Sequence, residues 1–275
     1  MTTPRSTKSN DRSLLRHGCF LLSLTFGFAW LALAPAVRAV SPPPDGGYPN
    51  FTTAEGANAL FSLTTGSANT AVGFFSLFSN TTGSFNTAVG AGALDVNTAD
   101  NNTATGTAAL LLNTTGDSNT ATGVDALALN DTGKQNTANG AFALFNNTIG
   151  NFNTAIGDQA LMLNTSGGGN TANGTAALPH NTTGGDNTAI GHAALNTNNE
   201  GNNNTATGAR ALQFNTGSSN TALGFTAGSN VNTASNVICI GSSGANVSNS
   251  CFIGHIRGVT TAQNNAVPVV IDTDG

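Results

Sequence analysis

The chain has 275 residues, of which 8% are charged and 39% apolar, with 34 glycines and a formal charge of −5. Ordinary soluble domains carry about 25% charged residues, so a conventional soluble enzyme is disfavoured. The apolar content argues against a wholly disordered chain, and a single long apolar stretch argues against a polytopic membrane protein. What fits is a low-complexity chain that buries its apolar residues by regular stacking.

The first element in chain order is an address. Arg5, Lys8, Arg12 and Arg16 precede an apolar run from Cys19 to Pro35, and Ala36-Val37-Arg38-Ala39 offers small residues on the near side of a cut after Ala39. This is the pattern of a secretory signal peptide over residues 1–39, with an uncleaved anchor as the rival reading. Cys19 stands before the apolar run, which disfavours a lipoprotein site, and no twin arginine is present. Cleavage would leave Lys134, Arg210 and Arg257 against twelve acids, a formal charge of −9. Three scattered cations cannot track a phosphate backbone, so no nucleic-acid partner is expected. No integral membrane segment is expected after cleavage either. Residues 40–52, with Ser41-Pro42-Pro43-Pro44-Asp45-Gly46-Gly47, read as a stiff linker.

From Thr53 the sequence repeats the unit N-T-A-x-G-x-x-A-L-x-x-N-T-T-G-x-x. Its first glycine recurs at Gly56, Gly73, Gly90, Gly106, Gly123, Gly140, Gly157, Gly174, Gly191, Gly208 and Gly224. The step is 17 residues except for two of 16, each losing one residue in the second turn, near Asp100 and near Gly217. Helical repeats need longer units and better helix formers. The expected fold is therefore all-β, a parallel β-roll or β-helix solenoid of 17-residue coils over 53–228. Residues 229–258 read as divergent coils, and 259–275 as a tail toward a further domain. Gly and Asn punctuate each unit twice, which predicts two short strands and two turns per coil.

Alternation along the first strand turns Asn, Ala and Gly to one side, and Thr and the variable x to the other. Position x holds Glu55, Val72, Thr105, Asn139, Ile156 and Asn173, so it faces solvent. The expected core is Ala against Leu: Ala71, Gly73 and Leu77; Ala88, Gly90 and Leu94; Ala121, Gly123 and Leu127; Ala155, Gly157 and Leu161; Ala189, Gly191 and Leu195. Asn and Thr can form hydrogen-bonded ladders along the axis. One Leu and two Ala per coil supply on the order of 3–4 kcal/mol of burial. Ordering a coil costs about 1–2 kcal/mol per residue in backbone entropy. So slender a core predicts side-by-side association of copies through residues such as Phe74, Phe75, Phe142 and Phe145.

The N-T-A-[VI]-G-x-x-A-L units resemble the head repeats of trimeric autotransporter adhesins, which form a YadA-like left-handed parallel β-roll. Those heads commonly use a shorter unit than the one here. The resemblance implies a homotrimer at the cell surface, with a protein or glycan as surface ligand. A second resemblance rests on Asn236-Val237-Ile238-Cys239-Ile240-Gly241, Cys251-Phe252-Ile253-Gly254 and Ile256 through Asp272. These segments are similar to those that lead into the endosialidase-type intramolecular chaperone of tail-fibre-like proteins. That domain would begin about where this sequence stops.

Chemistry-bearing residues are sparse and scattered. His17, His180, His192 and His255 have no acid or second histidine at ligand spacing, so no metal and no cofactor is expected. Asp117, Asp125, Asp158 and Asp186 stand singly and do not form the calcium-binding glycine-aspartate nonapeptide. No G-x-S-x-G elbow occurs, and the glycines follow no nucleotide-binding pattern. Cys239 takes an Ala place and Cys251 a Thr place, on opposite sides of their strands, which leaves a disulfide only as a strained candidate. The abundant N-x-[ST] sequons come with the repeat. Phe74, Phe75, Phe78 and Phe85 read as an interface filler, with an exposed binding patch as the rival.

The function expected is that of a secreted or surface-displayed structural rod, an adhesin without catalysis, about twelve coils and roughly 55–60 Å long. A tail-fibre-like shaft is one alternative. An ice-binding solenoid is another, carried by Thr103-Ala104-Thr105, Thr120-Ala121-Thr122 and Thr205-Ala206-Thr207.

Overall fold

The computed structural model describes residues 49–254; the segment expected to be a signal peptide, most of the expected linker, His255 and the expected tail lie outside the described residues. After a short 3-10 turn, Pro49–Phe51, the chain lays down β1 (Thr53–Glu55), β2 (Thr70–Val72), β3 (Thr87–Val89), β4 (Thr103–Thr105), β5 (Thr120–Thr122), β6 (Thr137–Asn139) and β7 (Thr154–Ile156). It continues with β8 (Thr171–Asn173), β9 (Thr188–Ile190), β10 (Thr205–Thr207), β11 (Thr221–Leu223), β12 (Val237–Ile240) and β13 (Ser250–Ile253). All thirteen join one parallel sheet in sequence order, a β-solenoid. Threonine pairs with threonine and alanine with alanine from β1 to β11, as in Thr70↔Thr87 and Ala71↔Ala88. Among the described residues no helix is long and apolar enough to cross a membrane.

From β1 to β11 each strand begins at a β-branched Thr and is followed by a glycine that the stack demands. These glycines have φ between +120° and +143°. A Cβ on Gly140 would lie 2.5 Å from the backbone of Gly157 in the next coil. The glycines of the second turn are equally confined: a Cβ on Gly133 would lie 2.5 Å from the Gly150 oxygen.

The side opposite the sheet differs from the two-strand expectation. Its backbone is laddered from coil to coil, with the Leu127 N–H donating to Ala143 O at 2.9 Å and the Leu129 N–H to Phe145 O at 3.0 Å. Yet it forms no strand, because the leucines sit in the left-handed region with φ between +48° and +53° from Leu60 to Leu212. The residue two places earlier is left-handed too, as at Asp125, Phe142 and Gln159. The physical reason is that Ala126 and Leu127, like Ala143 and Leu144, are adjacent and both fully buried. An extended backbone would send one of each pair outward.

The core is the Ala and Leu set expected, flanked by two columns of buried asparagine. Asn136 belongs to the column that precedes the strands. Its Nδ2 donates to Gly150 O at 2.9 Å, and its Oδ1 accepts the Asn153 N–H at 3.0 Å. The second column opens the N-T-T-G turn. There the Asn147 Nδ2 donates to Asn130 Oδ1 at 2.7 Å and to Gly150 O at 3.0 Å. From Gly83 to Gly217 the glycine carbonyl of this turn thus receives two amides. The threonine after the second asparagine adds a bond to the next coil, as from Thr148 Oγ1 to Thr165 O at 3.0 Å. Among the described residues Thr197 Oγ1 is the one buried side-chain polar atom without a partner, so almost no desolvation cost is left unmet.

The two short coils show how a residue can be lost. Asn113 and Asn119 are six positions apart, whereas Asn97 and Asn102 are five, as are Asn215 and Asn220. The missing residue is the exposed second threonine of N-T-T-G. In its absence the two columns touch directly, Asn102 Nδ2 donating to Asn97 Oδ1 and Asn220 Nδ2 to Asn215 Oδ1. Beyond Asn220 the interior turns apolar. Val237 takes the asparagine place, Cys239 the alanine place, and Phe252 packs at the end of the core.

Candidate functional site

The expected core residues Ala71, Leu77, Ala88, Leu94, Ala121, Leu127, Ala155, Leu161, Ala189 and Leu195 are all fully buried. Gly73, Gly90, Gly123, Gly157 and Gly191 occupy the positive-φ corner that closes each strand. Any functional group must therefore lie on the outside, and three surfaces carry different chemistry.

The first is the outward face of the sheet. Eleven consecutive threonines, Thr53 to Thr221, form one column, and position x forms the next. From β2 to β13 neither column contains a charged residue. Val72, Val89, Ile156, Ile190, Leu223 and Ile240 expose large side chains here, Leu223 to 51%. The pairs with two threonines fall on β4, β5 and β10.

The second surface is the turn that precedes each strand, where most charges collect: Asp100, Asp117, Asp131, Lys134, Asp186 and Glu200. Lys134 Nζ lies 2.6 Å from Asp117 Oδ1. The hydrogen bond from Lys134 lowers the Asp117 pKa, and the lysine charge adds to the effect. Asp131 stacks beside Thr114, whose hydroxyl donates to its carboxylate.

The third surface lies opposite the sheet, beside the buried leucines. Phe61 stacks on Phe78 with ring centroids 5.5 Å apart, and Phe75 meets Phe78 at 4.5 Å and Phe74 at 4.4 Å. Phe142 and Phe145 pair at 5.8 Å. Phe85, grouped with Phe74, Phe75 and Phe78 by sequence, belongs instead to the turn before Asn86 and lies outside this ring cluster. Asp95 interrupts the surface between Phe78 and Leu111 in repeat register, and burial pushes its carboxyl pKa up.

The remaining candidates do not converge. His180 Nδ1 lies 2.8 Å from Asn196 O, His192 is exposed, and neither meets an acid. Among the described residues no group of three or more His, Cys, Asp or Glu could hold a metal ion. Cys239 is buried and Cys251 exposed, both as free thiols on opposite sides of the sheet, so the disulfide weighed from sequence is not formed. Burial raises the Cys239 thiol pKa, which keeps it protonated and unreactive. At the start of the stack the coil interior opens as a recess of about 250 Å³ lined by Asn50, Thr52, Ala54, Ala59, Leu60 and Leu63.

What sequence reasoning missed is the second asparagine column, Asn80 to Asn215. Its signal was the near-constant first residue of N-T-T-G. No protein-family model matches the chain, and no curated protein matches it significantly in sequence.

Proposed function

We propose that the chain is a secreted or surface-displayed structural rod that presents a repeated binding surface and performs no catalysis. The observation that supports this most is the in-register pairing of β1 to β11. It offers each outward position again at about 4.8 Å intervals along roughly 48 Å. A weak contact made by one coil is then available to a multivalent partner many times over, and avidity replaces affinity. The turn before the strands suits this role. Its backbone is fixed by the asparagine columns, while its exposed positions vary among Thr, Ser, Asp, Lys and Glu. The ligand class this fits is a repetitive protein or glycan surface.

Beads coated with the chain test the reading on arrays of immobilised glycans and proteins. Retention should fall steeply as whole coils are removed. Retention independent of coil number, or no retention on any array, would remove it.

A further inference from the structure

The repeat writes a modification signal into its own interior. Asn80-Thr81-Thr82, Asn113-Thr114-Thr115, Asn130-Asp131-Thr132, Asn164-Thr165-Ser166 and Asn181-Thr182-Thr183 are N-x-[ST] sequons, the acceptor pattern for asparagine-linked glycans. Their asparagines all belong to the second column and are fully buried. Other sequons are open, since Asn101 and Asn203 stand exposed in the turn before a strand.

A sequon-directed transferase joins the anomeric carbon of a lipid-pyrophosphate-linked glycan to the asparagine Nδ2. The bond from that carbon to the pyrophosphate oxygen breaks, its electron pair leaves with the lipid pyrophosphate, and one Nδ2 proton passes to a base. The amide that remains has one N–H instead of two. Asn113 uses both, its Nδ2 donating to Asn97 Oδ1 at 2.7 Å and to Gly116 O at 2.8 Å. Asn130, Asn164 and Asn181 likewise donate to the preceding asparagine of the column and to Gly133, Gly167 and Gly184. Coils about 4.8 Å apart leave no room for a sugar between them. Turning the asparagine outward instead strips two buried acceptors of their donor.

We infer that these five asparagines are sites at which glycan attachment and folding exclude one another. The rod therefore leaves its cell by a route without sequon-directed transfer ahead of folding. The inference rests on the exported-rod reading and narrows its route, but it fails separately. Its readouts are glycan occupancy and folding, so a rod that binds no array leaves it standing, and a rod that tolerates the glycans leaves array binding standing.

The structure also supplies the control. The third residue of each sealed sequon, Thr82, Thr115, Thr132, Ser166 or Thr183, is exposed. The two 16-residue coils dispense with that residue altogether. Replacing all five with alanine erases the signals and leaves the asparagine columns in place.

The test makes the full chain in a bacterial host without the transferase and, behind a host signal, in the secretory pathway of a glycosylating eukaryotic cell. Mass spectrometry reads the occupied asparagines, and protease resistance reads folding. Wild type and the five-alanine variant should both fold in the bacterium. From the glycosylating cell, the wild type should carry glycans at sealed asparagines and lose its protease resistance. The variant, modified only at open sites such as Asn101 and Asn203, should keep its resistance, as should wild type made while an inhibitor blocks transfer. A folded wild type from the uninhibited cell overturns the inference, whether its sealed asparagines carry glycans or stay bare. Wild type that stays protease-sensitive with transfer blocked overturns it too, because the glycan is then not the obstacle. A variant that folds in the bacterium but not in the glycosylating cell moves the obstacle to the open sites and has the same consequence.

Discussion

On the strand side of a coil, Asn119, Ala121 and Gly123 alternate with the outward Thr120 and Thr122, as an extended backbone requires. On the far side, Ala126 and Leu127 are both buried although adjacent, and Asp125 and Leu127 are left-handed. Both sides ladder to the next coil through backbone hydrogen bonds. The strand side thus gains a relaxed backbone but can bury only every second residue. The far side buries two in succession and accepts backbone strain of about 1 kcal/mol at each left-handed residue bearing a Cβ. A solenoid whose strand side gives only an Ala and an Asn to the interior needs the far side's leucine to fill it.

The comparison breaks most visibly at the glycine between the two sides. Gly140→Ala places a methyl 2.5 Å from the Gly157 backbone at φ +143°. Neither the coil spacing nor the turn can yield, so the loss should reach about 4 kcal/mol or more. Urea unfolding would read it, and a loss below about 1 kcal/mol would mean that coils separate easily. Leu144→Ala tests the far side's contribution. A fully buried leucine in a core this thin should cost about 3 kcal/mol.

Asn136→Ala probes the strand side in turn. It strips the Asn153 N–H of its acceptor and removes one of the two amides on Gly150 O, for a loss of about 2–3 kcal/mol. If the alanine variant melts with the wild type, the asparagine column is ornament rather than support.

Asp95 gives a pH-dependent effect without a large energy. Its carboxyl pKa is raised by burial, so the folded chain holds that proton more tightly than the unfolded one does. Stability from this group therefore falls as pH rises through the ordinary carboxylate range and the raised value above it. At neutral pH the ionised group is a net cost. Asp95→Asn should raise the denaturation midpoint at neutral pH, and the difference should vanish in acid below about pH 4. A shift of equal size at both pH values would point to packing rather than charge.

The strand side was legible in the sequence because its rules are those of any pleated strand. Ala71 to Ala222 stayed small, x varied, and the 17-residue step held the register. The two 16-residue steps were placed in the right turn because Asn97-Thr98-Ala99 and Asn215-Thr216-Gly217 are visibly short. The far side was misread as a second strand. Leu, Phe and Gln at left-handed positions carry no mark of that conformation, and only Gly92, with Asn58 and Asp125 at the same place in two other coils, hints at it. The outward face was readable as exposed, but that its columns align over thirteen strands is seen only in the sheet itself.

That single glycine supports the finest test of the two-sided comparison. Gln159 occupies the same place as Gly92, exposed and at φ +56° against +67°. Its N–H donates to Ala141 O at 2.9 Å, as the Gly92 N–H does to Phe74 O at 2.8 Å, so glycine can keep the bond. Gln159→Gly relieves about 1 kcal/mol of left-handed strain and returns about 0.5–1 kcal/mol as unfolded-chain entropy. The net change should lie within about 0.5 kcal/mol, on the stabilising side. Leu161→Gly relieves the same strain at φ +52° but forfeits a fully buried side chain, so it should lose about 3 kcal/mol. Opposite signs at two left-handed positions in one coil would separate strain from burial. Equal losses at both would show that the far side is held by its backbone ladder and not by the leucine it turns inward.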